Sequence, residues 1–197
     1  MDNCVNSFEE LPSPCFVCEE ELLKRNLELL KKIQKEAGVK ILLALKGFAL
    51  YSTFNLCKEY LQGCCASGLH EALLASKEFG REVHTYSPAF KEEEVDEIVS
   101  ISNHIVFNSI NQLKTFEGKA IGKTSIGLRV NPEFSSVEVD LYNPCAAFSR
   151  LGITKKNFDS DAISNVEGLH FHALCEQNVD ALEGALNNFE EKFGEFL

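Results

Sequence analysis

Apolar positions along this chain alternate between helical three-and-four spacing and short unbroken runs that suit strands. Cys15-Phe16-Val17-Cys18 reads as a short leading strand, and Leu23, Leu27 and Leu30 then follow helical spacing within a helix over 19–36. The run from Val39 to Leu45 predicts a strand that delivers Lys46 at its end. The pattern repeats through a helix over 53–61, a strand over 64–67, a helix over 69–79 and a strand over 83–87. A helix over 91–101, with Val95, Ile98 and Val99 as its apolar face, leads into a strand over 104–108. A short helix over 112–116 precedes a strand over 125–130, which stops at Asn131-Pro132. A polar excursion runs to Arg150, a strand covers 166–173, and a last helix carries Val179, Leu182, Leu186, Phe189 and Phe193 at offsets 0, 3, 7, 10 and 14.

Alternating β and α with short connections predicts a parallel sheet whose ligand site lies at the carboxyl ends of the strands. The fold class expected is α/β, an incomplete (β/α)8 TIM-type barrel of about six βα units. An open arc of that kind exposes two edges and leaves its centre unfilled, so the chain is expected to be the front part of a larger structure.

Composition narrows the functional classes. The 197 residues are 45% hydrophobic and 25% charged, an ordinary globular balance. A net charge of -11 without a basic stripe argues against nucleic acid and acidic membrane surfaces, and favours a polycationic small molecule. Neither a signal peptide nor a bilayer-length apolar stretch is present, so a cytoplasmic location is expected and the eight cysteines are read as reduced thiols. Cys15 and Cys18 form a C-x-x-C pair, with no second pair at zinc-site spacing.

Candidate chemistry gathers at the predicted strand ends. A lysine held dry at the mouth of a strand has a lowered pKa and a lone pair able to attack an aldehyde such as that of pyridoxal phosphate. A lysine reaching for solvent is the competing reading of Lys46. His170 and His172 share one face of their strand, which suits either an H-x-H metal site or an imidazole laid against a flat cofactor, with Cys175 and Glu176 at the lip. Ser67 and Glu71 are explained equally by helix capping. Arg129 offers a fork of donors for a carboxylate or phosphate, or forms a salt bridge. The stretch 140–152 reads as an ordered loop over the strand ends, and no P-loop, G-x-G-x-x-G or G-x-S-x-G motif occurs.

Taken together, Ala44-Leu45-Lys46-Gly47-Phe48-Ala49, Ala66-Ser67-Gly68-Leu69-His70-Glu71, Leu128-Arg129-Val130-Asn131-Pro132, Leu141-Tyr142-Asn143-Pro144-Cys145, Ser149-Arg150-Leu151-Gly152 and Gly168-Leu169-His170-Phe171-His172 with Leu174-Cys175-Glu176-Gln177 resemble the alanine-racemase-fold decarboxylases, specifically their carboxynorspermidine decarboxylase branch. The resemblance is collinear from about Leu11 onward and implies the N-terminal portion of such an enzyme. It implies that residues 1–18 belong to a β-domain and residues 19–197 to a partial barrel that binds pyridoxal phosphate. Lys46 would hold that cofactor and His172 would stack on its ring, Glu71 and Arg129 would lie beside it, and Cys175 and Glu176 would border the substrate. The implied reaction releases carbon dioxide from carboxynorspermidine or carboxyspermidine, on a polyamine-forming route, in a homodimeric family. The family's phosphate loop, its ring-nitrogen glutamate and its partner-subunit residues are expected beyond Leu197, so this chain alone is expected not to turn over. Two departures stand out: Phe134 where a histidine is expected, and Ala147-Phe148 where Pro-Gly is expected, which would deprive the turn of positive φ and put a bulky ring near the pocket. The competing readings are a non-catalytic homologue that binds cofactor or partner, and a metal-dependent hydrolase built on His170 and His172.

Overall fold

The computed structural model describes Glu9 and residues 11–197. Six strands, β1 (Leu42–Ala44), β2 (Gly63–Ala66), β3 (Glu82–Tyr86), β4 (His104–Phe107), β5 (Ser125–Arg129) and β6 (Gly168–His170), form one sheet in sequential order. Every neighbouring pair is parallel. α1 (Glu20–Ala37) leads into β1, the connections carry α2 (Phe54–Cys57), α3 (Leu69–Leu74), α4 (Glu92–Ile101) and α5 (Ile110–Ala120), and α6 (Val179–Phe193) follows β6. The expected α/β architecture, six βα units of a TIM-type barrel, is present. Among the described residues no helix is long and apolar enough to cross a membrane.

The helices cover one face of the sheet. Cys64, Val83, Ile105, Phe107, Ile126 and Leu128 point to that side and are buried against Leu27, Phe54, Ala72, Phe79, Val95, Ile98, Leu113 and Phe116. The alternate strand positions, Cys65, Glu82, His84, Tyr86, His104 and Ser125, remain half-buried or exposed. Parallel sheets usually have both faces packed and therefore read as continuous apolar runs. Here β3 and β4 alternate apolar with polar, so the second face carries Glu82, His84, Tyr86 and His104.

The strands expected over 39–45 and 166–173 shrink to Leu42–Ala44 and Gly168–His170, and the helix expected over 69–79 changes to π-helical winding at Ala75–Phe79; further elements also depart from the sequence reading. Residues 15–18 pair with no described strand and lie exposed, the Phe16 ring fully so. Residues 1–8 and 10, part of the expected β-domain segment, lie outside the described residues. The helix expected over 53–61 is a single turn, because the chain must swing back for the Gln62 N–H to reach the Ile41 carbonyl and begin β2. Conversely, α5 is longer than expected, since the Ser109 hydroxyl accepts from the Gln112 N–H and starts the helix early. In α6 the buried stripe is Ala181, Ala185, Phe189 and Phe193, whereas Val179, Leu182 and Leu186 are exposed. Small residues let this helix approach closely, and Phe134 rests on Gly184.

Candidate active site at the carboxyl ends of the strands

The ends of β1, β3, β5 and β6 bring polar side chains to the same end of the uncovered face. Lys46 stands in the turn that closes β1, where the Gly47 and Phe48 N–H groups both bond to the Ala44 carbonyl. It is exposed rather than dry, which corrects the expectation of a desolvated amine. Its charge nevertheless reaches both His170 and His172, at the far edge of the sheet, and Cys65 on β2. The ammonium therefore faces the uncovered side and not the helices.

Arg129, at the end of β5, is 4% exposed. Its Nη1 donates to the Tyr86 hydroxyl, its Nη2 donates to the His172 carbonyl at 3.4 Å, and its Cζ lies 4.8 Å from the Tyr86 ring centroid. The same ring stacks on His170, with centroids 5.4 Å apart and an interplanar angle of 15°. Burial, then the charges of Arg129, His172 and Lys46, push the His170 pKa down to about 4. Arg129 Nε and His170 Nε2 are both buried without a hydrogen-bond partner. Such orphaned polar atoms are uncommon in a folded protein and call for a partner, whether a water, an ion or a ligand.

His172 sits just past β6 with an exposed edge. Desolvation, then Lys46, then Arg129, lower its pKa, so the ring is neutral near pH 7. Cys175 and Glu176 follow at the lip, both exposed, with Glu176 in a left-handed turn at φ 52°. That segment is anchored by Ser135 Oγ donating to the Ala173 carbonyl at 2.9 Å and Ser136 Oγ donating to Gln177 Oε1 at 3.1 Å.

Glu71 lies in the first turn of α3, where its Oε2 accepts from the Ser67 N–H at 2.8 Å. The capping expectation is thus inverted, because Gly68 occupies the cap position and the carboxylate, not the Ser67 side chain, satisfies the free amide. His170 and His172 acquire no third protein ligand among the described residues, and the metal-hydrolase reading of that pair has no donor set to rest on.

Sequence reasoning missed Tyr86 and Asn108. Asn108 Oδ1 accepts from the Tyr86 hydroxyl and from the Gly152 N–H, each at 2.9 Å, while Asn108 Nδ2 donates to the Arg150 carbonyl at 2.9 Å. Arg129, Tyr86 and Asn108 thereby tie the excursion over 131–152 to the strand ends. The available signal was period-two placement of Tyr86 with His84, and an asparagine closing β4. In the same excursion Phe148 takes φ 67°, the left-handed conformation for which the resemblance leads one to expect a glycine, with its ring fully exposed. The turn therefore keeps its positive φ with a phenylalanine, and the ring points to solvent.

No family model matches the chain. It is 50% identical over 190 residues to the carboxynorspermidine/carboxyspermidine decarboxylase of Campylobacter jejuni, covering 96% of this chain and 50% of that protein. Against the carboxyaminopropylagmatine decarboxylase of Synechocystis it is 44% identical, covering 95% and 49%. The crystal structure of carboxynorspermidine decarboxylase complexed with norspermidine, from Campylobacter jejuni, superposes with a TM-score of 0.87 at 48% identity, covering 94% of this chain and 48% of that one. At 13% identity, an SrLDC mutant in complex with PLP shares the fold with a TM-score of 0.75, covering 95% and 49%. Fold and likeness together show that the chain shares the alanine-racemase-type fold of these decarboxylases. Among them it is similar to carboxynorspermidine decarboxylase, and it spans about half the length of the curated relatives it matches.

Proposed function

We propose that the strand-end site binds pyridoxal phosphate and belongs to a decarboxylase acting on carboxynorspermidine or carboxyspermidine. The observation that carries this reading is the convergence of Lys46, His170 and His172 on one face, beside two buried nitrogens that lack partners. These residues fit the cofactor: an accessible amine for its aldehyde, a neutral imidazole at His172 for its ring, and a fixed guanidinium at Arg129. Glu71 already holds a backbone amide, so its role beside the cofactor is to keep the β2–α3 turn rigid. Pyridoxal phosphate, when bound, supplies the electron sink for loss of carbon dioxide.

The chain's own residues do the rest. Lys46 offers a solvent-accessible amine on a turn fixed by two backbone hydrogen bonds. Arg129, locked by Tyr86 and the His172 carbonyl, holds the end of β6 against β5 and so sets where His172 presents its ring. Glu176 places a carboxylate at the lip, where a substrate carrying several ammonium groups is attracted. The names of the relatives, two carboxylated triamines and a carboxylated agmatine derivative, support an aminopropyl-bearing substrate class.

Carbon dioxide release from carboxynorspermidine tests the reading, measured on this chain with pyridoxal phosphate and the remaining half of the Campylobacter jejuni relative. Turnover that disappears in Lys46→Ala is expected. Cofactor binding that depends on Lys46 but yields no carbon dioxide would instead make this chain a non-catalytic cofactor-binding homologue.

A further inference from the structure

On the uncovered face, away from the strand-end site, Glu82, His84 and His104 bring one ligand atom each to within 4.8 Å of one another. The cause is local. Glu82 and His84 lie two residues apart on β3 and so share a face, while His84 and His104 are register partners across β3 and β4. Their imidazole centroids are 4.1 Å apart with a 35° tilt, and His84 Nε2 lies 3.1 Å from Glu82 Oε2. All three side chains are half-buried, reachable from the uncovered side.

We propose that Glu82, His84 and His104 form a site for a divalent transition-metal cation, with zinc as the simplest occupant. Two imidazoles and a carboxylate are a ligand set that zinc accepts, leaving the fourth position to water from the open face. Zinc bonds of about 2.0–2.2 Å imply ligand atoms roughly 3.4 Å apart, so small side-chain rotations close the present spacing. Both histidines must be neutral to bind. Lys40 now holds Glu82 Oε1 in an ion pair, but its side chain is 58% exposed and free to withdraw along a flexible stem. The remaining oxygen, Oε2, already faces His84. This site is separate from Lys46, Arg129 and His172, so it stands or falls independently of the cofactor reading.

Zinc alone, titrated calorimetrically into the metal-stripped full chain, tests the proposal. One equivalent per chain is expected, with affinity reduced at least tenfold in His84→Gln and in His104→Gln, and undiminished in a Cys15→Ser/Cys18→Ser variant. Circular dichroism checks that each variant stays folded, and Glu82→Gln, which leaves both imidazoles in place, is expected to weaken binding as well. Cobalt substituted for zinc should show a visible spectrum of nitrogen and oxygen ligation. Absence of saturable binding, binding indifferent to the histidine variants, or a thiolate charge-transfer band lost with Cys15 and Cys18 would overturn it.

Discussion

Arg129 lies over the ring of Tyr86, its Cζ 4.8 Å from the centroid, and donates to the hydroxyl of that same residue. One tyrosine thus serves the guanidinium through both its face and its oxygen, and passes the hydrogen bond on to Asn108. The pair fixes a buried cation, 4% exposed, whose Nε has no other partner. Tyr86→Phe keeps the ring but strips the acceptor. We expect a loss of about 1–3 kcal/mol, read from the midpoint of urea unfolding, because a charged donor is left buried and unpaired.

Acid should weaken the fold through His170. Its folded-state pKa is lowered to about 4, below the ordinary value of 6.5, so the unfolded chain binds the proton more readily. The contribution is complete above about pH 6.5 and is lost as pH falls toward 4. His84 and His172 are shifted in the same direction and add to the trend. Stability of the wild type measured from pH 7 to pH 4.5 should fall more steeply than that of His170→Gln, by roughly 2–3 kcal/mol across the range.

Phe148 holds φ 67° with its side chain fully in solvent, so its ring contributes no burial to set against the backbone strain. A left-handed conformation costs a non-glycine residue about 1–2 kcal/mol. Phe148→Gly should therefore stabilise by about 1 kcal/mol, visible as a rise in thermal midpoint. A lower midpoint would show that the exposed ring makes contacts that outweigh the strain.

Phe134 and Gly184 are coupled by shape. A Cβ on Gly184 would come within 2.7 Å of the Phe134 Cε1 and Cζ atoms. Helix propensity alone favours alanine over glycine by about 1 kcal/mol. In the wild type the ring must move to admit the methyl group, whereas in Phe134→Ala it need not. Gly184→Ala should accordingly be more favourable in the Phe134→Ala background by about 1 kcal/mol or more, a coupling that a double-mutant cycle measures.

These relationships explain how much was legible in the sequence. Strand and helix order followed from periodicity because β3, β4 and the first four positions of β5 alternate cleanly, and the helices that pack on the sheet carry apolar stripes. The stripe of α6 was misread because Val179, Leu182 and Leu186 outweigh Ala181 and Ala185 in hydrophobicity, yet the small residues are the buried ones, beside Gly184 on which Phe134 rests. Lys46, Arg129 and His172 were visible as strand-end residues. Tyr86 and Asn108 were not, since their importance lies in contacts across 43 and 44 positions of sequence, to Arg129 and Gly152, which no local pattern encodes. The exposure of Lys46 likewise depends on what covers the second face of the sheet, a tertiary property.

On the proposed function, Lys46 is the amine that receives pyridoxal phosphate, selected among the chain's lysines by facing the side of the sheet that carries His170 and His172. The most direct test of that role is incubation of the full chain with pyridoxal phosphate, reduction with borohydride and peptide mapping by mass spectrometry. The account predicts near-stoichiometric label on Lys46, sharply reduced in His172→Ala and moved to no other lysine in Lys46→Ala. Label spread evenly over exposed lysines, or indifferent to His172, would contradict it.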